Sequence, residues 1–397
     1  MPDLASLIAS HHVLVCVGSG GVGKTTTAAA LALWGALHGR RTAVVTIDPA
    51  KRLADCLGLN TAAAHGQPLP PETFARYGLS PSGTLTALLV DQQGAWDAAV
   101  ARYAPTAEIR ERILANRFYQ GLSRTFAGSH EYMALDTLAT LVQKGLYDLI
   151  VVDTPPTRQA LDFLQAPQRL QRFLDSQANK LFVRSATTKG WAALSAMNRT
   201  VTFLLRKIEE ATGISALEDI VEFFTVMQRM FIDFGDRFSR VSALLASAET
   251  AFLLIASPEE EILGEAEEFR VGLERLDVAV KGVVVNRLHE PQQGQVLPQQ
   301  SYTALVKRLR PAVHLTIRDN TALPWLAQNF LAQQMQARGE ERRVELFSQN
   351  FPVDVPFVRV PLLPAFPADL GGLATLLQYL CREIRLKQSQ RVKHSSV

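Results

Sequence analysis

The residues Gly18, Ser19, Gly20, Gly21, Val22, Gly23, Lys24 and Thr25 meet the spacing G-x-x-x-x-G-K-[ST] without a gap. They follow a short apolar run, Val13 to Val17, and open an alanine-rich stretch, Thr26 to Leu37. Strand, glycine loop and helix thus come in the order that a phosphate-binding loop requires. Glycines let the backbone approach phosphate oxygens and turn amide N–H groups toward them. The helix adds its positive N-terminal end. In that frame Lys24 reaches the β- and γ-phosphates, Thr25 offers its hydroxyl to Mg²⁺, and Gly18 through Thr26 cradle a nucleotide. A ligand-free glycine turn is the plainer alternative, and the Lys-Thr pair in register argues against it.

Four further positions fit the same chemistry. Asp48 ends a second apolar run, in Thr46-Ile47-Asp48-Pro49, where Pro49 prevents continued strand pairing. A carboxylate at the C-terminal edge of a strand beside the loop strand points into the crevice where ligands bind. There Asp48 is placed to orient or deprotonate a water attacking the γ-phosphate and to lie near the metal; a helix cap is the alternative. Asp153 ends the run Leu149-Ile150-Val151-Val152-Asp153, a Walker-B arrangement that holds Mg²⁺ directly or through water. The following Thr154-Pro155-Pro156-Thr157 is stiff and irregular, suited to a segment that switches with the γ-phosphate. Asn286 ends Gly282-Val283-Val284-Val285-Asn286, and an amide there offers both donor and acceptor to the edge of adenine; a turn-forming Asn is the alternative. The backbone at Pro361, in Val360-Pro361-Leu362, is a candidate lining of the base pocket.

These residues need a scaffold. Continuous apolar runs at Val13–Val17, 42–47, 85–90, 149–152, 252–255, 278–285 and 357–360 read as buried parallel strands. Helical stretches lie between them, which is the pattern of a doubly wound, mostly parallel α/β sheet. Gly39 and the basic pair Arg40-Arg41 close the first helix. From Trp96 to about Leu141 and from Leu161 to Ala248 the chain reads as helix after helix, too long for simple crossovers. The expected organisation is one ATPase domain, with core at 10–95, 142–160, 249–292 and 350–386. A helical subdomain from insertions takes 96–141 and 161–248, another helical segment 293–349, and a disordered basic tail 387–397. In the second insertion Ile220, Phe223, Phe224, Met227, Phe231, Phe234 and Phe238 recur at spacings of three and four, with Glu222, Gln228, Arg229, Asp233 and Arg237 off that face. Packing within the subdomain is one reading; a surface for an apolar client helix is the other.

Composition narrows the classes. The 397 residues are nearly half apolar and one fifth charged, as in a globular soluble protein. Arg382, Arg385, Lys387, Arg391 and Lys393 against Glu383 more than account for the net charge of +3, so the body is near neutral and a nucleic-acid face is not expected. The N-terminus lacks a basic region ahead of an apolar one, and no run reaches bilayer length, so the expected location is cytoplasmic. The three cysteines, Cys16, Cys56 and Cys381, are far apart and support neither a zinc site nor a disulfide framework.

The ordered set of glycine loop, Thr46-Ile47-Asp48-Pro49-Ala50, Asp153-Thr154-Pro155-Pro156-Thr157, Ser257-Pro258-Glu259, Val285-Asn286 and Val360-Pro361-Leu362 resembles the arsenite-pump ATPases (ArsA-type). It is also similar to the related ATPases that deliver tail-anchored membrane proteins. The likeness spans about Val13 to Leu386 and includes Gly128-Ser129-His130-Glu131 and the segment from Asp162 to Pro167. It implies a P-loop NTPase of the deviant Walker A group, a dimer closing around ATP and Mg²⁺, and a helical region that handles clients. By position Asp48 matches the switch I acid, Asp153 the switch II acid and Asn286 the adenine contact. Departures are specific. The family's second loop lysine is Ser19 here, leaving Lys51, Arg52 or a heterodimeric partner as sources of that charge. The usual His after Asp-Pro-Ala is Lys51. The C-x-x-C of the tail-anchored branch and the thiols that capture a metalloid are missing. The reading is therefore an ATP-hydrolysing homodimer or heterodimer that couples nucleotide state to a hydrophobic client helix or membrane-protein partner. An ATPase subunit energising an anion transporter and a non-catalytic ATP-dependent scaffold are the alternatives.

Overall fold

The computed structural model describes residues 3–47, 52–58, 65–90, 92–104, 106–116, 119–120, 129–155, 237, 239–291 and 322–381. Its centre is β1 (Val13–Val17), five consecutive apolar residues that are all buried. A strand apolar on both faces must be covered on both faces, and alternation decides which residue faces which layer. Val13, Val15 and Val17 enter one core, Leu14 and Cys16 the other.

Eight strands form one sheet. In chain order they are β1, β2 (Arg41–Thr46), β3 (His65–Pro68), β4 (Thr84–Leu89), β5 (Leu149–Asp153), β6 (Thr250–Ala256), β7 (Val280–Leu288) and β8 (Phe357–Pro361). Their spatial order is β3-β4-β2-β5-β1-β6-β7-β8. All neighbouring pairs are parallel except β3 with β4. The chain turns opposite ways from β1, to β5 and β2 on one side and to β6, β7 and β8 on the other. That reversal opens a crevice at the C-terminal ends of the central strands.

The seven strands read from apolar runs are all present. The eighth, β3, was not expected: it is four residues long, contains Gly66 and Pro68, and has no apolar run. Proline is tolerated there because β3 is an edge strand with one side unpaired. A second difference is the end of β7, which continues through Asn286 to Leu288, three residues beyond the apolar run.

The first layer holds α1 (Leu4–Ser10), α2 (Lys24–Leu37), α3 (Arg52–Leu57), α4 (Pro71–Ala75) and, from the C-terminal part, a helix at Leu370–Cys381. Nearly every residue of α2 is buried, and its alanines let it lie close to β2 and β5. The opposite layer holds α5 (Gln92–Tyr103), α6 (Ala107–Ala115), α7 (Ser129–Lys144), α8 (Glu260–Glu274) and α9 (Ala322–Ser348). Trp96, Val100, Ile113, Leu135, Leu138, Phe269 and Phe347 from these helices share one core with Val13, Ile150 and Val285 of the sheet. The described helices of 92–144 thus cover the sheet directly. Continuing the count, the helix at Leu370–Cys381 is α10.

Gly39 has φ +85 just past α2, as a helix-ending glycine should. The basic pair after it does different work. Arg40 donates from its guanidinium to the carbonyls of Ile8 and Asp148, and Arg41 pairs with the Asp148 carboxylate at 2.7 Å. These cations therefore tie α2, α1 and β5 together at the N-terminal end of the sheet. The residues of the phenylalanine face, from Ile220 to Phe238, and all of 161–236 lie outside the described residues.

Candidate active site

The loop is shaped by what surrounds it. A Cβ on Gly18 would lie 2.0 Å from the Ile255 carbonyl oxygen of β6, so only glycine lets the chain leave β1 against its neighbour. Gly23 has φ +97, and a Cβ there would lie 2.5 Å from Nδ2 of Asn286. Gly20 and Gly21 are exposed, leaving their backbone open to a ligand. Helix α2 then begins at Lys24 with its N-terminal amides facing the crevice.

Lys24 is 8% exposed, and its Nζ donates to the Ser19 carbonyl oxygen at 2.8 Å. The ammonium is thereby held inside its own loop, where a phosphate oxygen would offer the same kind of acceptor. The Asp153 carboxylate is fully buried at the end of β5. Its Oδ2 accepts from Thr25 Oγ1 and from Thr46 Oγ1, both at 2.8 Å. Hydrogen bonds to an ionised acceptor are among the stronger ones, so this carboxylate is fixed relative to the loop. Thr154, also buried, donates its hydroxyl to the Cys16 carbonyl at 2.7 Å and its amide to the same oxygen at 3.3 Å. The segment leaving β5 is thus anchored to β1 at its first residue.

Asn286 faces the loop from β7. Its Nδ2 donates to the Val22 carbonyl at 2.9 Å, and its Oδ1 accepts from the Arg287 amide at 2.9 Å. Each end of this amide keeps a second hydrogen-bonding position. The β7–β8 register shifts between Val285 and Leu288, and Arg287 has φ +63. The two residues therefore form a bulge, a device that re-aims side chains beside sites.

A cavity of about 320 Å³ is lined by Gly20, Gly21, Gly23, Lys24, Thr25 and Thr26 with Arg52, Asp55, Cys56, Thr154, Arg287, Phe366 and Ala368. A second, more open hollow of about 710 Å³ lies on the other side of Gly20 and Gly21, lined by Ser257, Glu259, Glu260, Glu261, Ile262 and Arg287. Pro361 pairs with Leu288 in the sheet and is not in the lining of either; Phe366 and Ala368 of the same connection line the smaller cavity. Asp48 and Lys51 lie outside the described residues. Ser19 is 2% exposed with its hydroxyl turned inward, and Val22 is buried in the core under the loop. The loop's own side chains therefore leave Lys24 as its single cation.

Thr25 and Asp153 present a hydroxyl and a carboxylate at one point, an oxygen-only donor set that suits a hard cation such as Mg²⁺. Among the described residues no cluster of three His, Cys, Asp or Glu could hold a metal, so further ligands would come from phosphate and water. Burial pushes the Cys16 thiol well above its usual value; the neighbouring Asp153 charge adds to this and Lys24 opposes it. Burial likewise raises Cys56. All three cysteines are buried as free thiols.

Comparison with known proteins settles the class. The family model described as anion-transporting ATPase (ArsA) matches residues 11–302. The chain belongs to that family. A relative from Malassezia globosa named ATPase GET3 is 25% identical over 371 residues, covering 92% of this chain and 90% of its own. One from Aspergillus terreus named ATPase get3 is 26% identical, covering 75% of this chain and 80% of its own. An ATPase ASNA1 homolog from Cryptosporidium parvum is 27% identical, with coverage of 73% and 69%. As a member of the anion-transporting ATPase family the chain is an ATP-binding ATPase with the α/β fold of P-loop NTPases. No helix of the described residues is long and apolar enough to cross a membrane.

Sequence reasoning missed Thr46, Asp55, Cys56, Arg287 and Phe366. Thr46 had a findable signal, a hydroxyl on the last residue of its strand, but its use depends on β2 lying beside β5, where Thr46 is opposite Asp153. Arg287 and Phe366 follow motif residues at short distance, yet nothing in their spacing marks them.

Proposed function

We propose that this ATPase is a Mg²⁺-dependent dimeric switch whose nucleotide state governs a helical region that receives an apolar client segment. The observation that carries the reading is Lys24 held on the Ser19 carbonyl of the glycine loop, next to a Thr25 hydroxyl bonded to the Asp153 carboxylate. Lys24 would exchange the Ser19 carbonyl for an oxygen of the β- or γ-phosphate. Gly20, Gly21 and the start of α2 would offer backbone amides to the phosphate chain. A bound Mg²⁺ would neutralise phosphate charge, with Thr25 and Asp153 as the residues to hold it. Asp48 would orient the attacking water, and Asn286 would direct its remaining amide positions to the base.

The switch rests on Thr154. Its two bonds to Cys16 join the start of the proline segment to β1 beside Asp153, so a change at Asp153 would be felt where that segment begins. The likeness to the tail-anchored delivery ATPases supports an apolar helix as client, a soluble working form and a dimer. The family's description keeps one other reading, energising an anion transporter; three buried thiols, none beside another, give a trivalent metalloid no exposed cluster.

Purified protein should hydrolyse ATP with Mg²⁺ and shift toward dimer in sedimentation with a non-hydrolysable ATP analogue but not with ADP. Lys24→Ala should reduce turnover at least about a thousandfold, roughly 4 kcal/mol of barrier. Equal sedimentation in both nucleotides would sink the switch, and unchanged turnover in Lys24→Ala would sink the site.

A further inference from the structure

The wall of the cavity contributed by β7 holds a cation that neither the loop motif nor the family likeness assigns. Arg287 lines both the 320 Å³ cavity and the 710 Å³ hollow, and Gly20 and Gly21 are the other residues common to the two linings. It is exposed, and among the described residues no carboxylate pairs with its guanidinium. Its backbone is in the left-handed region at φ +63, which a long side chain rarely adopts and which costs free energy. The conformation is enforced locally. Asn286 Oδ1 holds the Arg287 amide, Asn286 Nδ2 holds the Val22 carbonyl, and the β7–β8 bulge accommodates the extra residue. The same side chain that supports the loop from behind thus fixes the backbone that carries the arginine to its rim.

We infer that Arg287 is a phosphate-contacting residue that binds the triphosphate chain of the nucleotide at the Gly20–Gly21 rim. This rests on the nucleotide site proposed above. Two features make a cation necessary there. The residues of the loop ahead of Lys24 carry no charge, and Ser19 turns its hydroxyl inward. On the far side of the rim, Glu259, Glu260 and Glu261 line the outer hollow, three carboxylates at the start of α8 that repel a polyphosphate. Arg287 lines that hollow too, and so stands where phosphate and acidic wall meet. Guanidinium suits this place because its planar fork bonds two phosphate oxygens at once. Arg52, the other guanidinium of the smaller cavity, lines it together with Asp55 and does not reach the outer hollow.

The test separates a ligand role from a structural one through the backbone. In Arg287→Gly the side chain is lost while the left-handed conformation becomes favourable. The melting temperature should therefore hold or rise. Affinity for a non-hydrolysable ATP analogue with Mg²⁺, measured by calorimetry, should fall at least about tenfold, and its salt dependence should flatten. Arg287→Lys should bind more tightly than the glycine variant. The inference is overturned if Arg287→Gly binds the analogue as wild type does, or if its weaker binding comes with a lowered melting temperature and the lysine variant restores nothing. Failure of wild-type protein to bind the analogue would overturn the site itself, a result distinct from either.

Discussion

On the β1–β5 side of the glycine-loop cavity the polar groups are buried and each is bonded to a neighbour in its own wall; on the β7–β8 side Arg287 and Phe366 are exposed, and a bulge carries Arg287. Lys24, Asp153 and Thr154 each have a partner at 2.7 to 2.8 Å before any ligand arrives. Across the cavity, Asn286 braces the loop and Arg287 and Phe366 stand at the surface. The first wall is preorganised in the sense that matters for catalysis, since its dipoles need little reorientation when charge develops. The second braces the first through the bond from Asn286 to the Val22 carbonyl. The bonded groups thus sit at the centre of the sheet order and the exposed ones toward its β8 edge.

The largest effect should come from the rigid wall. Asp153→Asn keeps the volume and removes the charge that Thr25 and Thr46 share. Turnover should fall by at least about a thousandfold, near 4 kcal/mol, and addition of Mg²⁺ should no longer sharpen nucleotide binding in calorimetry. Retention of a tenth of the activity would show that the two walls are not divided as described.

The next effect couples the walls. Gly23→Ala forces a side chain into φ +97 and against Asn286 Nδ2, and should cost about 2–3 kcal/mol in urea unfolding. Asn286→Ala loses one hydrogen bond to Val22, about 1 kcal/mol. In the double variant the steric part disappears, so the two penalties should fall short of their sum by more than about 0.5 kcal/mol. Simple additivity would mean that the brace does not press on the loop.

The smallest effect lies at the far end of the sheet and serves as the control. The Arg41 guanidinium bonded to Asp148 holds that carboxyl at about 2, below its usual 3.8. A depressed pKa stabilises the fold above the unfolded value and is lost as pH falls through the folded one. Asp148→Asn should therefore lower the melting temperature slightly at neutral pH, with the difference shrinking between pH 4 and pH 2. The pair is solvent-exposed, so the shift should be small, and turnover should not change. A difference that persists unaltered at pH 2 would place the stabilisation elsewhere.

The central strands and the loop were legible because each is set by local chemistry. A buried strand needs an unbroken apolar run, and a phosphate loop needs glycine where a Cβ would strike a neighbour. Edge strand β3 was not legible, since an edge with Gly66 and Pro68 carries no run to read. The length of β7 was misjudged because polar Asn286 and Arg287 looked like a strand end, whereas pairing with β8 carries the strand past them. Arg40 and Arg41 looked like helix-end cations, but carbonyls from α1 and the chain before β5, and the Asp148 carboxylate, were the nearer acceptors.

The order of residues alone determined that a triphosphate loop joins a buried strand to a helix, that acids close two other apolar runs, and that the chain resembles one ATPase family. These are properties of contiguous segments, fixed by side-chain size and hydrogen-bonding capacity within a few residues. The tertiary structure decided which strand end faces which. It set Thr46 beside Asp153, pressed Asn286 against Gly23 and onto the Val22 carbonyl across 264 residues of sequence, and brought Arg287 to the glycine rim. Such meetings depend on strand order and register, which arise only when both faces of the sheet are covered together.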